Sequence, residues 1–302
     1  MAKLEIKKGR SSGETIPKIL TGALAFFPMI LAAAIFLVLI LKVFPLLSLK
    51  SLPALIFSAA WQPSRGQFGL WPHILGTIWV TVTAFGLAGP LAILTSIYLA
   101  EYAPPGLRRL FQPVLDLLAG LPSVIYGMWG VLVIVPVVGR YLGPIFGIQS
   151  SGYCILSAGV VLAVMILPTI ISVSVEVLNS VPLALREAAF SLGATRFEVI
   201  TQVVLKKAFP GIVAASSLGL ARAFGETIAV LMVVGNVPVI PHSLFSPAYT
   251  LPALLANNYG EMMSIPGYEA VLNLAALLLL LIVLSFSFLA RWYLVRISRR
   301  SR

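Results

Sequence analysis

Charge is scarce in this chain: only 10% of its 302 residues are Asp, Glu, Lys or Arg, while 59% are hydrophobic. Soluble domains carry about 25% charged residues because their surfaces face water, so a soluble globule is excluded. Cysteine occurs once, at Cys154, which leaves no disulfide framework and no thiolate metal site. Histidine occurs twice, at His73 and His242, with no metal-ligand spacing around either, and no metal site is assigned. No G-x-x-x-x-G-K-[ST] loop and no nucleophile elbow is found. The chain is therefore read as no enzyme, with no catalytic residue and no nucleotide-binding loop of its own.

What is abundant is uncharged sequence. Lys18 to Lys42, Asp116 to Arg140 and Glu269 to Arg291 bracket runs of 23, 23 and 21 residues, and Arg65 to Glu101 and Arg140 to Glu176 bracket 35 each. A membrane-crossing helix needs about 20 apolar residues, since the hydrocarbon core is about 30 Å thick and a helix rises about 1.5 Å per residue. Each run spans once. A sixth candidate near 209–236 is interrupted only by Arg222 and Glu226. The fold class is an all-α membrane protein with six transmembrane helices, at roughly 19–44, 72–100, 114–138, 151–177, 209–236 and 270–293. The run Ile19–Leu41 is longer than a signal-peptide core, and no small-residue cleavage site follows it; it reads as a retained first span.

Lys/Arg-rich loops face the cytoplasm. One side holds sixteen basic residues: Lys3, Lys7, Lys8, Arg10, Lys18, Arg108, Arg109, Arg186, Arg196, Lys206, Lys207, Arg291, Arg296, Arg299, Arg300 and Arg302. The other holds four: Lys42, Lys50, Arg65 and Arg140. Both termini are thus expected inside. The net charge of +11 sets orientation and does not imply nucleic acid. The organisation follows: a cytoplasmic segment 1–18, a six-helix domain 19–293 and a basic tail 294–302. The outer segment 237–268 has five prolines and no Lys or Arg, and is expected to be an ordered cap.

The inner segment at about 179–209 is far longer than a turn requires. Ser180 is expected to cap a first helix with Pro182 in its first turn, and Gly193 to stop it in the left-handed conformation. Thr195 and Glu198 form a capping-box pattern for a second helix that Pro210 ends. Phe197, Ile200, Val204 and Ala208 share one face of that helix. From pattern alone, the pair is either a cytoplasmic helix-turn-helix or a connector lying on headgroups.

Arg222 and Glu226 stand near the middle of the fifth span, where each charge costs about 2.5–3.5 kcal/mol to insert. Their i, i+4 spacing predicts one helix face, shared with the small residues Ala215, Gly219 and Ala229. Two readings stay open. One is a buried pair that locks packing; the other is an anion relay, because a guanidinium fork matches phosphate oxygens. Thr77, Thr81 and Thr83 are expected to bond to their own helix. Asp116 and Glu176 are read as solvated, or paired with Arg108, Arg109 or Arg186.

Glu187-Ala188-Ala189, three further residues and Gly193, with Val203 and Leu205 beyond, resemble the EAA loop of ABC importer permeases. In that family the loop is a coupling helix that docks on a separate ATPase. The resemblance implies that Ala188 and Ala189 permit close approach, Gly193 supplies the elbow and Glu187 bonds to the partner. Lys206 departs from the pattern, standing where the family usually has proline. The run ARAFGETIAVLMVVGN (221–236) is similar to the fifth span of phosphate permeases of the Pst type. AEYAPPGLRRLFQPVLDLLAGLPSVIYG (100–127) and SLFSPAYTLPALLANNYGE (243–261) look like its C-type subunit. The resemblance implies a phosphate permease in a bacterial or archaeal inner membrane, with Arg222 and Glu226 on the substrate pathway. It implies three partners: a homologous A-type permease subunit, an ATPase dimer that carries ATP and magnesium, and an extracytoplasmic phosphate-binding protein. A permease for another oxyanion, a homodimeric permease, a passive anion channel and a membrane enzyme acting on lipids are the competing readings.

Overall fold

A computed structural model describes residues 15–47, 51–260 and 265–300. Lys3, Lys7, Lys8, Arg10, Lys50 and Arg302, which enter the orientation tally, lie outside the described residues, as does Glu261. The chain forms α1 (Thr15–Leu47), α2 (Leu52–Phe57), a short hairpin of β1 (Trp61–Gln62) and β2 (Gln67–Phe68), α3 (Trp71–Tyr102) and α4 (Pro105–Gly120). Then follow α5 (Ser123–Ile145), α6 (Ile155–Asn179), α7 (Leu183–Ser191), α8 (Arg196–Gly225), α9 (Ile228–Val233), α10 (Leu251–Asn258) and α11 (Tyr268–Arg300). Among the described residues six helical stretches are long and apolar enough to cross a membrane: Leu20–Leu46, Trp71–Tyr102, Ser123–Ile145, Ile155–Asn179, Arg196–Gly225 and Tyr268–Trp292.

The centre is the α3–α6 pair. Lipid offers no hydrophobic drive between helices, so close approach through small residues must supply the packing. Ala84, Ala88 and Ala92 recur every fourth residue on α3, all fully buried in one apolar cluster with Ala158, Leu162 and Ile166 of α6. A Cβ on Gly159 would stand 2.5 Å from the Thr83 methyl carbon, so only glycine fits that crossing. α8 crosses α6 in the same way, with Gly211 against Val177 and Gly219 against Ile170. The outer faces of α1 and α5 carry exposed Leu, Ile, Phe and Val, as lipid-facing surfaces should.

The third span begins later than the charge gaps suggested. Residues 114–120 belong to α4, a separate helix that carries Arg108, Arg109, Gln112 and Asp116 among apolar residues. The break falls at Leu121, which is extended (φ −66°, ψ 134°) because the proline that follows disfavours helix in the residue before it. α4 thus has the composition of an interfacial helix, and the span runs from Ser123 to Ile145.

The described residues of segment 237–268 pack against the bundle at α3. Leu251, Ala253 and Leu254 are fully buried there. The Leu251 amide donates to Thr77 Oγ1 at 2.9 Å, tying the segment to α3. Thr77 Oγ1 in turn donates to the His73 carbonyl, and Thr83 Oγ1 to the Trp79 carbonyl, the own-helix bonding expected of both.

Candidate translocation site and coupling loop

The loop between α6 and α8 is built by strong local signals. Gly193 adopts φ +83°; its amide donates to the Phe190 carbonyl at 2.9 Å, and the Ala194 amide to the Ala189 carbonyl at 3.2 Å. These two bonds close α7 as a Schellman motif. Two residues on, the Thr195 amide donates to Glu198 Oε2 at 2.7 Å while Thr195 Oγ1 accepts from the Glu198 amide, the reciprocal capping box that opens α8.

Two expectations fail here. Ser180 caps nothing: its hydroxyl donates to the Val177 carbonyl, and α7 starts at Leu183 with Pro182 at the N-cap. Pro210 does not stop the second helix, which continues through it to Gly225 as one span. Prolines are tolerated within membrane helices because neighbours satisfy the freed carbonyl.

The loop presents an apolar surface. Leu183, Leu185, Phe190, Leu192 and Phe197 are exposed, Leu192 at 89%. Glu187 and Ala188 are exposed beside them, and Ala189 is half-buried. Ile200, Val204 and Ala208 point inward as expected, but Phe197 leaves their face and joins the exposed patch.

Behind the loop, three arginines from three elements converge on the last turn of α3, which widens to a π turn over Tyr98–Tyr102. Arg186 Nη1 donates to both carboxylate oxygens of the buried Glu101, at 2.9 and 2.7 Å, and its Nη2 to the Leu178 carbonyl at 3.0 Å. Arg196 donates to the Glu101 carbonyl, and its guanidinium lies 5.1 Å from the centroid of the Tyr102 ring. Arg108 donates to the Ala100 carbonyl. Asp116 and Glu176 are exposed, and Arg186 has found Glu101 instead. A cavity of about 580 Å³ lies beside this cluster, lined by Glu101, Arg108, Arg186, Arg196, Phe190 and Asn179 among others. Nothing in the local pattern marked Glu101, because its partner is 85 residues away.

Arg222 and Glu226 do not share a helix face. α8 ends at Gly225, Glu226 is extended (φ −71°, ψ 125°), and a new helix, α9, begins at Ile228. No ion pair joins the two residues among those described; each has a separate partner. Arg222 Nη1 donates to Thr169 Oγ1 of α6 at 2.9 Å, and Glu226 Oε1 accepts from the Ala229 amide at 3.1 Å. The small residues of α8 make room for a neighbouring helix, α6. Ala215 is fully buried, and a Cβ on Gly219 would meet Ile170 at 2.5 Å. Beside Glu226, the cavity lined by Thr77, Thr81, Phe224, Val230 and Thr250 measures about 10 Å³. That is at most one water, so this cavity holds no oxyanion, while Arg222 and Glu226 themselves are half-exposed.

A helical membrane bundle with a polar break inside one span is the build of a transport protein. The profile of the family described as "Binding-protein-dependent transport system inner membrane component" matches residues 92–302, and the chain belongs to that family. It is a multi-pass inner-membrane permease, not an enzyme. It is 36% identical over 298 residues to the "Phosphate transport system permease protein PstC" of Xylella fastidiosa (strain 9a5c), covering 91% of each chain. It is 40% identical over 236 residues to the "Probable ABC transporter permease protein YqgH" of Bacillus subtilis, covering 77% of this chain and 74% of that one. Methanocaldococcus jannaschii has a "Probable phosphate transport system permease protein PstC" 34% identical over 294 residues, covering 89% of this chain and 93% of that one. Two solved transporters share the fold. One is the inward-facing MetNI methionine ABC transporter (TM-score 0.53, 21% identity, 76% of this chain and 94% of that chain). The other is a bacterial ABC transporter that imports alginate (TM-score 0.56, 18% identity, 94% and 98%).

Proposed function

We propose that the chain is a permease subunit of an ATP-driven phosphate importer, of the C type. The observation that carries this is the 36% identity to a phosphate transport permease across 91% of both chains. Around it stands the physical chemistry of the fifth span. Phosphate near neutral pH keeps at least one P–OH, and a carboxylate at Glu226 accepts that hydrogen while the Arg222 fork binds other oxygens. Sulfate has no such proton to offer.

The basic residues Arg108, Arg186 and Arg196 put the loop on the cytoplasmic side by the positive-inside rule, with both termini inside. There the exposed apolar patch around Glu187, Ala188 and Ala189 docks a separate ATPase, and Gly193 holds the elbow. An A-type permease subunit, a second ATPase copy and an external phosphate-binding protein complete the assembly. ATP binding closes the ATPase dimer and draws the loops together, and hydrolysis resets the bundle.

The test is uptake of radiolabelled phosphate by cells holding the complete system, with wild type, Glu187→Lys, Arg222→Gln and Glu226→Gln at matched membrane abundance. Saturable uptake lost in all three variants is expected. Glutamine at 226 can still accept the Ala229 N–H bond, so its loss of uptake reports the charge rather than the fold. Normal uptake with Glu187→Lys refutes ATPase docking at this loop; normal uptake with Glu226→Gln refutes the proton-acceptor role. Absence of phosphate uptake in the wild type moves the cargo to another solute.

A further inference from the structure

Glu101 is the least expected group in the molecule: a carboxylate only 9% exposed, at the end of α3, with its charge partner on the loop helix α7. A buried carboxylate needs a countercharge and hydrogen bonds, and Arg186 supplies both with two contacts of 2.7 and 2.9 Å. The widened turn exposes carbonyl oxygens at the negative end of the helix dipole, and Arg108 and Arg196 bond to those of Ala100 and Glu101. Arg186 lies before the Gly193 elbow and Arg196 after it, so both arms of the loop are fixed to one turn of α3.

Little else does this for α7. The side of α7 that faces the bundle borders the cavity of about 580 Å³, and the helix has no fully buried residue of its own. Apolar packing under the loop comes from Val181, Val199 and Val204 at its roots, in one cluster with Ala100 at the end of α3, and α7 itself adds only the half-buried Ala189. A push on α7 therefore reaches α3 by two routes, the small apolar contact at Ala189 and the charged one through Arg186 and Glu101, and only the second fixes α7 by directed bonds.

We infer that Glu101, Arg186 and Arg196 form the latch that makes the coupling loop and the end of α3 move as one body. Glu101 is then a transmission residue for ATP-driven transport. This rests on the reading of the loop as an ATPase dock. The exposed docking residues take no part in the latch, so breaking it leaves the ATPase bound but disconnected from the bundle.

The experiment uses the complete complex in proteoliposomes with the phosphate-binding protein, and reads phosphate transported per ATP hydrolysed. Glu101→Gln and Arg186→Gln each lower that ratio about tenfold, the scale of one lost charged hydrogen bond, while the ATPase still co-purifies in full. The double variant is no worse than either single one, and Glu101→Asp keeps part of the coupling. A wild-type ratio in Glu101→Gln, where Glu187→Lys abolishes uptake, overturns the latch alone. Normal uptake with Glu187→Lys overturns the dock and the latch with it.

A second measurement covers variants that do not assemble. In a Cys154→Ser background, Glu101→Cys and Arg186→Cys are joined by a short bifunctional maleimide. If the two sites travel together, the joined complex transports at or above the rate of the unjoined one. A complex that transports only before joining shows that the sites must separate during the cycle, and overturns the latch.

Discussion

Thr169 gives the sharpest test of how the charge at Arg222 is held. Its hydroxyl accepts from Arg222 Nη1 at 2.9 Å across the α6–α8 contact, and both side chains are half-buried. Thr169→Val replaces that oxygen with a methyl group in the same β-branched shape, so the side chain still packs and only the acceptor is removed. A hydrogen bond to a charged group contributes about 1.5–3 kcal/mol. Half-burial puts this one near the lower bound, at about 1.5 kcal/mol, or about tenfold. Because the fork must be aimed before it can bind an oxyanion, the loss should fall on transport rather than on folding. The assay is the concentration dependence of phosphate uptake at matched membrane abundance, together with the thermal midpoint of the purified complex. Transport efficiency should fall about tenfold with the midpoint little changed, and Thr169→Ser should remain close to wild type. Unchanged uptake in Thr169→Val refutes the reasoning, as does Thr169→Ser being equally damaged, since the hydroxyl would then not be the working group.

Two further substitutions probe the scaffold. Gly219→Ala puts a Cβ about one ångström too close to Ile170; overpacking of this kind costs about 1–3 kcal/mol and should lower the thermal midpoint of the detergent-solubilised complex, with partial recovery on adding Ile170→Val. Gly193→Ala meets no atom within 4 Å but keeps φ at +83°, so its cost is backbone strain alone, about 1–2 kcal/mol; limited proteolysis should nick the loop faster while the midpoint of the bundle stays put, and Gly193→Asn should be milder.

The number of spans was legible because lipid forbids charge, and the gaps between charged residues therefore mark the spans directly. Boundaries were less legible where the signal was conformational. The start of the third span turned on Pro122 acting on Leu121, within a run that stays uncharged to Arg140. Pro210 is a stop in water but not in a membrane helix, so the aqueous rule misled. The break after Gly225 left no mark in composition, since Gly-Glu-Thr reads as helix interior between apolar flanks. Of the candidate site, Arg222 and Glu226 stood out by charge alone, yet their partners Thr169 and the Ala229 amide depend on packing. The loop was legible almost to the atom at Gly193 and at Thr195–Glu198, because caps are local chemistry. Glu101 was not, because a long-range ion pair leaves no periodic trace.

The exposure of α1 bears on how the protein is assembled. Its most apolar window has none of its residues buried inside the bundle. Its main neighbour is α11, and Lys42 Nζ bonds Glu269 Oε1 at 2.9 Å where the two helices meet. A ribosome makes α1 before all the other described helices and α11 after them, so α1 must wait in the bilayer while the helices between are made before its partner exists. Among the described residues of α1, burial is confined to the last turns, at Val43 and Leu46, which suits that delay: a helix with so few core contacts can be inserted early and docked late. Split between α1 and α2, the chain should therefore reassemble from two separately expressed fragments.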